Sequence, residues 1–116
     1  MTRTEFMKKN ELTCKNIQWS WAFVSEVTEA VVFQSYHMNG QIIYDPEWNK
    51  GRSIASHNEI NEYIDKVFNE GYEAYVVNIG GEKKDGTFVL NGYGSDIVPI
   101  EIMWNRDKLV FKFKGL

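Results

Sequence analysis

One stretch of this chain spaces its apolar residues for a long helix, and the sequence around it alternates. Ile60, Tyr63, Ile64, Val67 and Phe68 fall at i, i+3, i+4, i+7 and i+8, which puts them in one apolar stripe. Just before it, Ser56-His57-Asn58-Glu59 has the spacing of a capping box, with Ser56 as cap and Glu59 returning the bond. Gly71 follows where a helix commonly stops. The spacing predicts a helix over 57–70. Such a helix must bury its stripe against another layer, and strands supply that layer.

The strands read from alternation and from β-branched and aromatic residues. Residues 19–27 and 30–36 form a predicted hairpin joined through Thr28-Glu29. In an extended 19–27, Trp19, Trp21 and Phe23 share a face, as dense core or as a flat platform. The expectation is core. Ile42-Ile43-Tyr44 makes a short strand, and 72–79 a largely buried one. Residues 80–86 read as a charged turn, 87–90 as a strand and 91–96 as a glycine-rich loop. Strands 97–103 and 108–113 are joined by a turn at 104–107, with Leu109, Phe111 and Phe113 on one face of the last. Residues 2–10 suit a short helix docked by Phe6 and Met7. The expected fold is α+β: a curved antiparallel or mixed sheet of five to six strands. The main helix packs on one face, and residues 1–116 form one domain.

The aromatic share is 15%, high for 116 residues, and most of it is needed to fill a small core. The formal charge is −3, which excludes gripping nucleic acid by bulk charge and leaves room for a local basic patch. One cysteine, Cys14, allows no internal disulfide, and with two histidines a Cys/His zinc site is excluded. No apolar run approaches the ~20 residues of a membrane helix, and residues 1–9 lack the apolar segment of a signal peptide. A cytoplasmic location is expected, with no cofactor, no metal and no membrane partner.

The candidate chemistry is thin. His37 and His57 have no partner at ligand or catalytic spacing, and His57, beside the cap, is expected to be exposed. Cys14 reads as a small buried hydrophobe. Asp45, Glu47, Glu82 and Lys84 raise a metal-dependent nuclease reading, but Glu82 and Lys84 fall in a turn, where acids and lysines are common solvated residues. No glycine run matches a phosphate cradle. The irregular segment 37–55 carries an indole beside cations: Trp48 with Lys50 and Arg52. Tyr93 in the glycine-rich loop and Trp104 with Arg106 repeat the combination. Aromatic faces stack bases and cations hold phosphates, so Trp48, Lys50, Arg52 and Tyr93 are the candidate nucleic-acid-binding residues. The competing reading is that Trp48 folds back to close the core.

Gln18-Trp19-Ser20-Trp21-Ala22-Phe23-Val24, followed by Val31-Val32-Phe33, resembles a W-S-W-G-A-V…V-F pattern. That pattern occurs in poorly characterised bacterial modules, some associated with HNH nucleases of the restriction kind. Gly71-Tyr72-Glu73-Ala74-Tyr75-Val76-Val77 and Asp85-Gly86 are similar to stretches in the same proteins, so the likeness covers roughly residues 16–90. Ala22 stands where the pattern has glycine, and no H-N-H segment follows, so cleavage does not carry over. The resemblance implies a stand-alone accessory module that recognises DNA or a modified base. The expected function is therefore a small non-catalytic recognition domain for nucleic acid. The rival is a protein-binding inhibitor or defence or anti-defence factor of phage or plasmid origin, which the acidic balance suits.

Overall fold

A computed structural model describes residues 1–35, 40–84 and 87–115, with 80–84, 87–91 and 95 described as backbone only. His37 and the Asp85-Gly86 turn lie outside the described residues. The elements run α1 (Arg3–Lys9), β1 (Ala22–Ser25), β2 (Ala30–Gln34), β3 (Ile42–Tyr44), α2 (Ile54–Glu70), β4 (Glu73–Lys84), β5 (Thr87–Asn105) and β6 (Lys108–Phe113). The fold is α+β, as the sequence leads one to expect. Its six described strands form one curled mixed sheet in the order β1-β2-β4-β5-β6-β3. Only the β2–β4 pairing is parallel among the described pairs, because the chain crosses over through α2 between those strands.

Among the described residues, β1, β2 and the first part of β4 are buried on both faces. On one, α2 lays Ile60, Tyr63 and Ile64 against Ala22, Val24, Val31, Phe33, Ala74, Val76, Ile100, Leu109 and Phe111. On the other, Phe6 of α1 and Leu12 cover Phe23, Val32, Val77, Ile79 and Tyr93. Alternation along β1 and β2 sends neighbouring residues to opposite cores. Burying one such side chain contributes roughly 1.5–3 kcal/mol, so both layers stabilise the sheet substantially. Among the described residues, no helix is long and apolar enough to cross a membrane.

Three local expectations change. The Trp19-Trp21-Phe23 row does not form. Asn16 opens a turn, its carbonyl accepting from the Trp19 and Ser20 amides and its side chain from the Gln18 amide. The strand therefore begins at Ala22, Trp19 is half-buried in the turn, and Trp21 and Phe23 enter different cores. Helix α2 starts earlier than 57, with Ser53 at its N-cap in the left-handed region (φ 53°) and no side-chain cap. Ser56 and Glu59 are buried instead of capping. The third change concerns 91–96, which is not a loop: β5 runs continuously from Thr87 to Asn105. Gly92 and Gly94 mark places where another backbone comes close. At Gly92, φ is +136° and a Cβ would lie 3.1 Å from the Met1 carbonyl; at Gly94, it would lie 3.0 Å from the Asn78 carbonyl.

The freed Ser56 and Glu59 fasten the 15–20 segment to the helix. Ser56 Oγ donates to the Trp19 carbonyl at 2.7 Å. Glu59 Oε2 accepts from the Lys15 amide at 2.6 Å and from the Tyr63 hydroxyl at 2.7 Å. Burial, reinforced by that bond to Glu59, pushes the Tyr63 phenol well above its ordinary value. Cys14 sits half-buried beside this strap, its thiol pushed up mainly by burial.

Candidate functional site

The irregular segment after β3 is built by turns. The Asp45 side chain accepts from the Glu47 amide at 2.9 Å, and the Trp48 amide donates to the Asp45 carbonyl at 3.0 Å. Asn49, Gly51 and Ser53 all take positive φ, which folds the chain back toward the start of α2. This returns the Trp48 ring to the molecule. It meets Trp21 at 5.7 Å and Tyr44 at 5.8 Å, edge to face in both cases. Trp48 is half-buried and packs on the α2-side core. The indole closes the core with part of its surface, and only the remainder faces water.

His57 locks that arrangement. Its Nε2 lies 2.7 Å from the Trp48 carbonyl and its Nδ1 lies 2.7 Å from the Tyr44 hydroxyl. A carbonyl can only accept, so Nε2 carries its hydrogen; in the neutral ring Nδ1 then accepts from Tyr44. Asn61 Nδ2 donates to the same Tyr44 oxygen at 3.2 Å, and the imidazole packs edge-on against Trp21 at 4.8 Å. Burial raises the Tyr44 phenol above its ordinary value. The histidine expected at an exposed cap is thus a half-buried bridge between two core aromatics and the loop. Sequence reasoning missed it because its partners are remote in the chain.

Tyr44 also ties in Trp104. The two rings meet at 6.3 Å, with planes 74° apart. Trp104 lies near the C-terminal end of β5, past the residues that β4 pairs with, and is 43% exposed. Across the β3–β6 pairing, Lys108 bridges Asp45 at 3.6 Å, which sets the 45–48 turn beside the Asn105–Lys108 turn. The buried Tyr44 ring thus links half-buried Trp48 to exposed Trp104, and the two indoles mark an aromatic rim.

The cations around this rim divide into two kinds. Lys50 pairs with Glu47 at 3.2 Å and Lys108 with Asp45, so both have local counter-ions. Arg52 and Arg106 are exposed, and neither has an ion pair among the described residues. Arg106 occupies the left-handed region (φ 61°) in the tight turn immediately after Trp104.

Tyr93 is not part of this surface, and its expected stacking role is corrected. It is 5% exposed, on the opposite side of the sheet. Phe6 stacks on its ring at 5.2 Å and Phe23 tilts against it at 6.3 Å. Its hydroxyl accepts from Arg3 Nε at 2.7 Å and donates to Gln34 Oε1 at 2.9 Å. Its backbone exchanges bonds with Met1, at 2.8 and 3.1 Å. A ring sealed by two aromatics and satisfied at its polar end has no face left for a base.

The residues behind the nuclease reading do not converge. Asp45 pairs with Lys108 at the start of β6 and Glu47 with Lys50 in the loop, while Glu82 and Lys84 lie in the β4–β5 ribbon rather than in a turn. Among the described residues, no three His, Cys, Asp or Glu side chains are grouped to hold a metal ion. No family model, curated protein or solved structure matches the chain.

Proposed function

We propose that this protein is a small non-catalytic recognition domain that takes an unpaired or flipped base at its aromatic rim. Trp104 is the stacking group, Tyr44 packs against it, and Arg52 and Arg106 contact phosphates. The observation that carries this reading is the half-exposed indole on a regular strand, with Arg106, which has no ion pair among the described residues, two positions on. Base stacking on an aromatic side chain contributes about 1–3 kcal/mol and tolerates any base. The resemblance to accessory modules of restriction-type nucleases points toward DNA, a modified base included.

The test is titration of a fluorescein-labelled single strand, and of a duplex carrying a modified base, followed by anisotropy at low salt. Two phosphate contacts on a single strand give a slope of about −1.4 in log K against log salt. Trp104→Ala weakens binding roughly 10- to 100-fold while thermal stability stays close to that of the parent. No binding of either ligand at low salt overturns the reading.

A further inference from the structure

The far end of α2 has the opposite character. The helix ends at Glu70 with Gly71 as its C-cap and no basic residue in its last turn. Helix C-termini carry partial negative charge and favour cations, so Glu70 sits where a carboxylate is disfavoured. More carboxylates gather around it. Lys66 bridges Glu26 at 3.4 Å and Glu70 at 3.9 Å, the Tyr72 hydroxyl donates to Glu26, and the Glu73 amide donates to the Glu29 carbonyl. Lys66 precedes Glu70 by one turn, the less favourable order for such a pair. Lys114 bridges Glu73 at 2.8 Å. Among the described residues, Glu26, Glu70 and Glu73 thus share two lysines near the negative end of a helix dipole, and Glu29 adds a fourth carboxylate close by. The Tyr72 phenol is pushed up to about 12, chiefly by its bond to Glu26.

Exposed apolar side chains lie at the same end of the sheet. Val27 is in the β1–β2 turn between Glu26 and Glu29, and Phe68 is in the last turn of α2 beside Glu70. Phe113, next to Lys114, is exposed at the end of β6. Charge placed against the helix dipole and beside exposed apolar groups lowers the stability of the free protein. A partner with cations around an apolar strip relieves both costs at once, whereas nucleic acid and anionic membranes are repelled.

We propose that this end of the molecule docks a basic amphipathic segment of a protein partner. Lysines or arginines of that segment meet Glu29, Glu70 and Glu73, and its apolar side chains cover Val27, Phe68 and Phe113. This surface is separate from the aromatic rim and does not depend on the nucleic-acid reading.

The probe is an 18-residue amphipathic Leu/Lys peptide, with a scrambled isomer of the same composition as control. Each is titrated into the isotope-labelled full chain and followed by amide chemical shifts. The expected shifts cluster at 26–29, 66–73 and 112–115 and leave 104–108 unchanged. Glu29→Lys with Glu70→Lys weakens the peptide at least tenfold yet raises the melting temperature, because a cation replaces an anion at the helix end. Phe68→Ser, at a position already exposed, weakens it at least fivefold. Equal binding of the scrambled isomer overturns the proposal, as does unchanged affinity of the charge-reversed variant, shifts centred on Trp104, or no shift at millimolar peptide.

Discussion

Tyr93 and Trp104 lie on the same strand and meet opposite fates. Around Tyr93, β5 is flanked by β4 and roofed by α1, and the phenol finds both a donor and an acceptor within the fold. Around Trp104, β5 has run past the start of β4 and, among the described strands, pairs with β6 alone, and Tyr44 meets its ring from one side. The difference teaches that an aromatic becomes available to a ligand where the sheet narrows. A glycine-rich neighbourhood does not by itself confer exposure. At Tyr93 the glycines let another backbone approach, and the ring is buried as a result.

The sharpest way to break this comparison is to truncate the two rings in turn. Tyr93→Ala should cost about 3–5 kcal/mol, because it opens a cavity between Phe6 and Phe23 and strips Arg3 and Gln34 of their partner. Chemical denaturation measures this, and a loss below about 1 kcal/mol would show that α1 and the N-terminal segment are not held through this ring.

His57→Ala comes next, at about 1–3 kcal/mol, since the Tyr44 hydroxyl and the Trp48 carbonyl each lose a partner. It should also shift tryptophan emission to the red as Trp48 is released. An unchanged spectrum would mean the loop is held by its turns alone.

Arg106→Gln should leave stability within about 0.5 kcal/mol and flatten the salt slope of oligonucleotide binding by about 0.7, one phosphate on a single strand. A slope that does not move removes Arg106 from the contact surface.

The smallest effect concerns alkali. Tyr44 and Tyr63 titrate above their ordinary value in the folded protein. Their contribution is fully present below the unfolded phenol pKa of about 10 and is lost as pH rises above it. Melting temperature should therefore fall steadily above about pH 10. Tyr63→Phe should reduce that slope, and an unchanged slope would contradict the burial that, with the bond to Glu59, raises this phenol.

Much of the architecture was legible from residue spacing. The Ile60–Phe68 stripe marks α2, although Phe68 itself ends up exposed. Leu109 and Phe111 alternate with more exposed neighbours along β6, and the β1–β2 hairpin forms, though it closes through a turn at 26–29 rather than through Thr28-Glu29 alone. What was not legible depended on remote partners. Ser56 and Glu59 have the spacing of a cap, but Trp19, Lys15 and Tyr63 offer them buried bonds, and tertiary contacts outweigh a terminal cap. The parallel β2–β4 pairing gave no local signal, since it needs only a crossover long enough to contain α2. The rim was half legible. Trp48, Arg52, Trp104 and Arg106 each stood out as aromatic or cationic, but only the β3–β6 pairing shows which of them meet.

The central claim is that the exposed ring of Trp104, at the aromatic rim, is where a base would stack. The most direct measurement follows the indole N–H resonances of the four tryptophans while a single-stranded oligonucleotide is added at low salt. Saturable shifts are expected at Trp104, smaller ones at Trp48, and little change at buried Trp21, with all of them fading as salt rises. Shifts confined to Trp19, or no shift at any indole, would contradict the account.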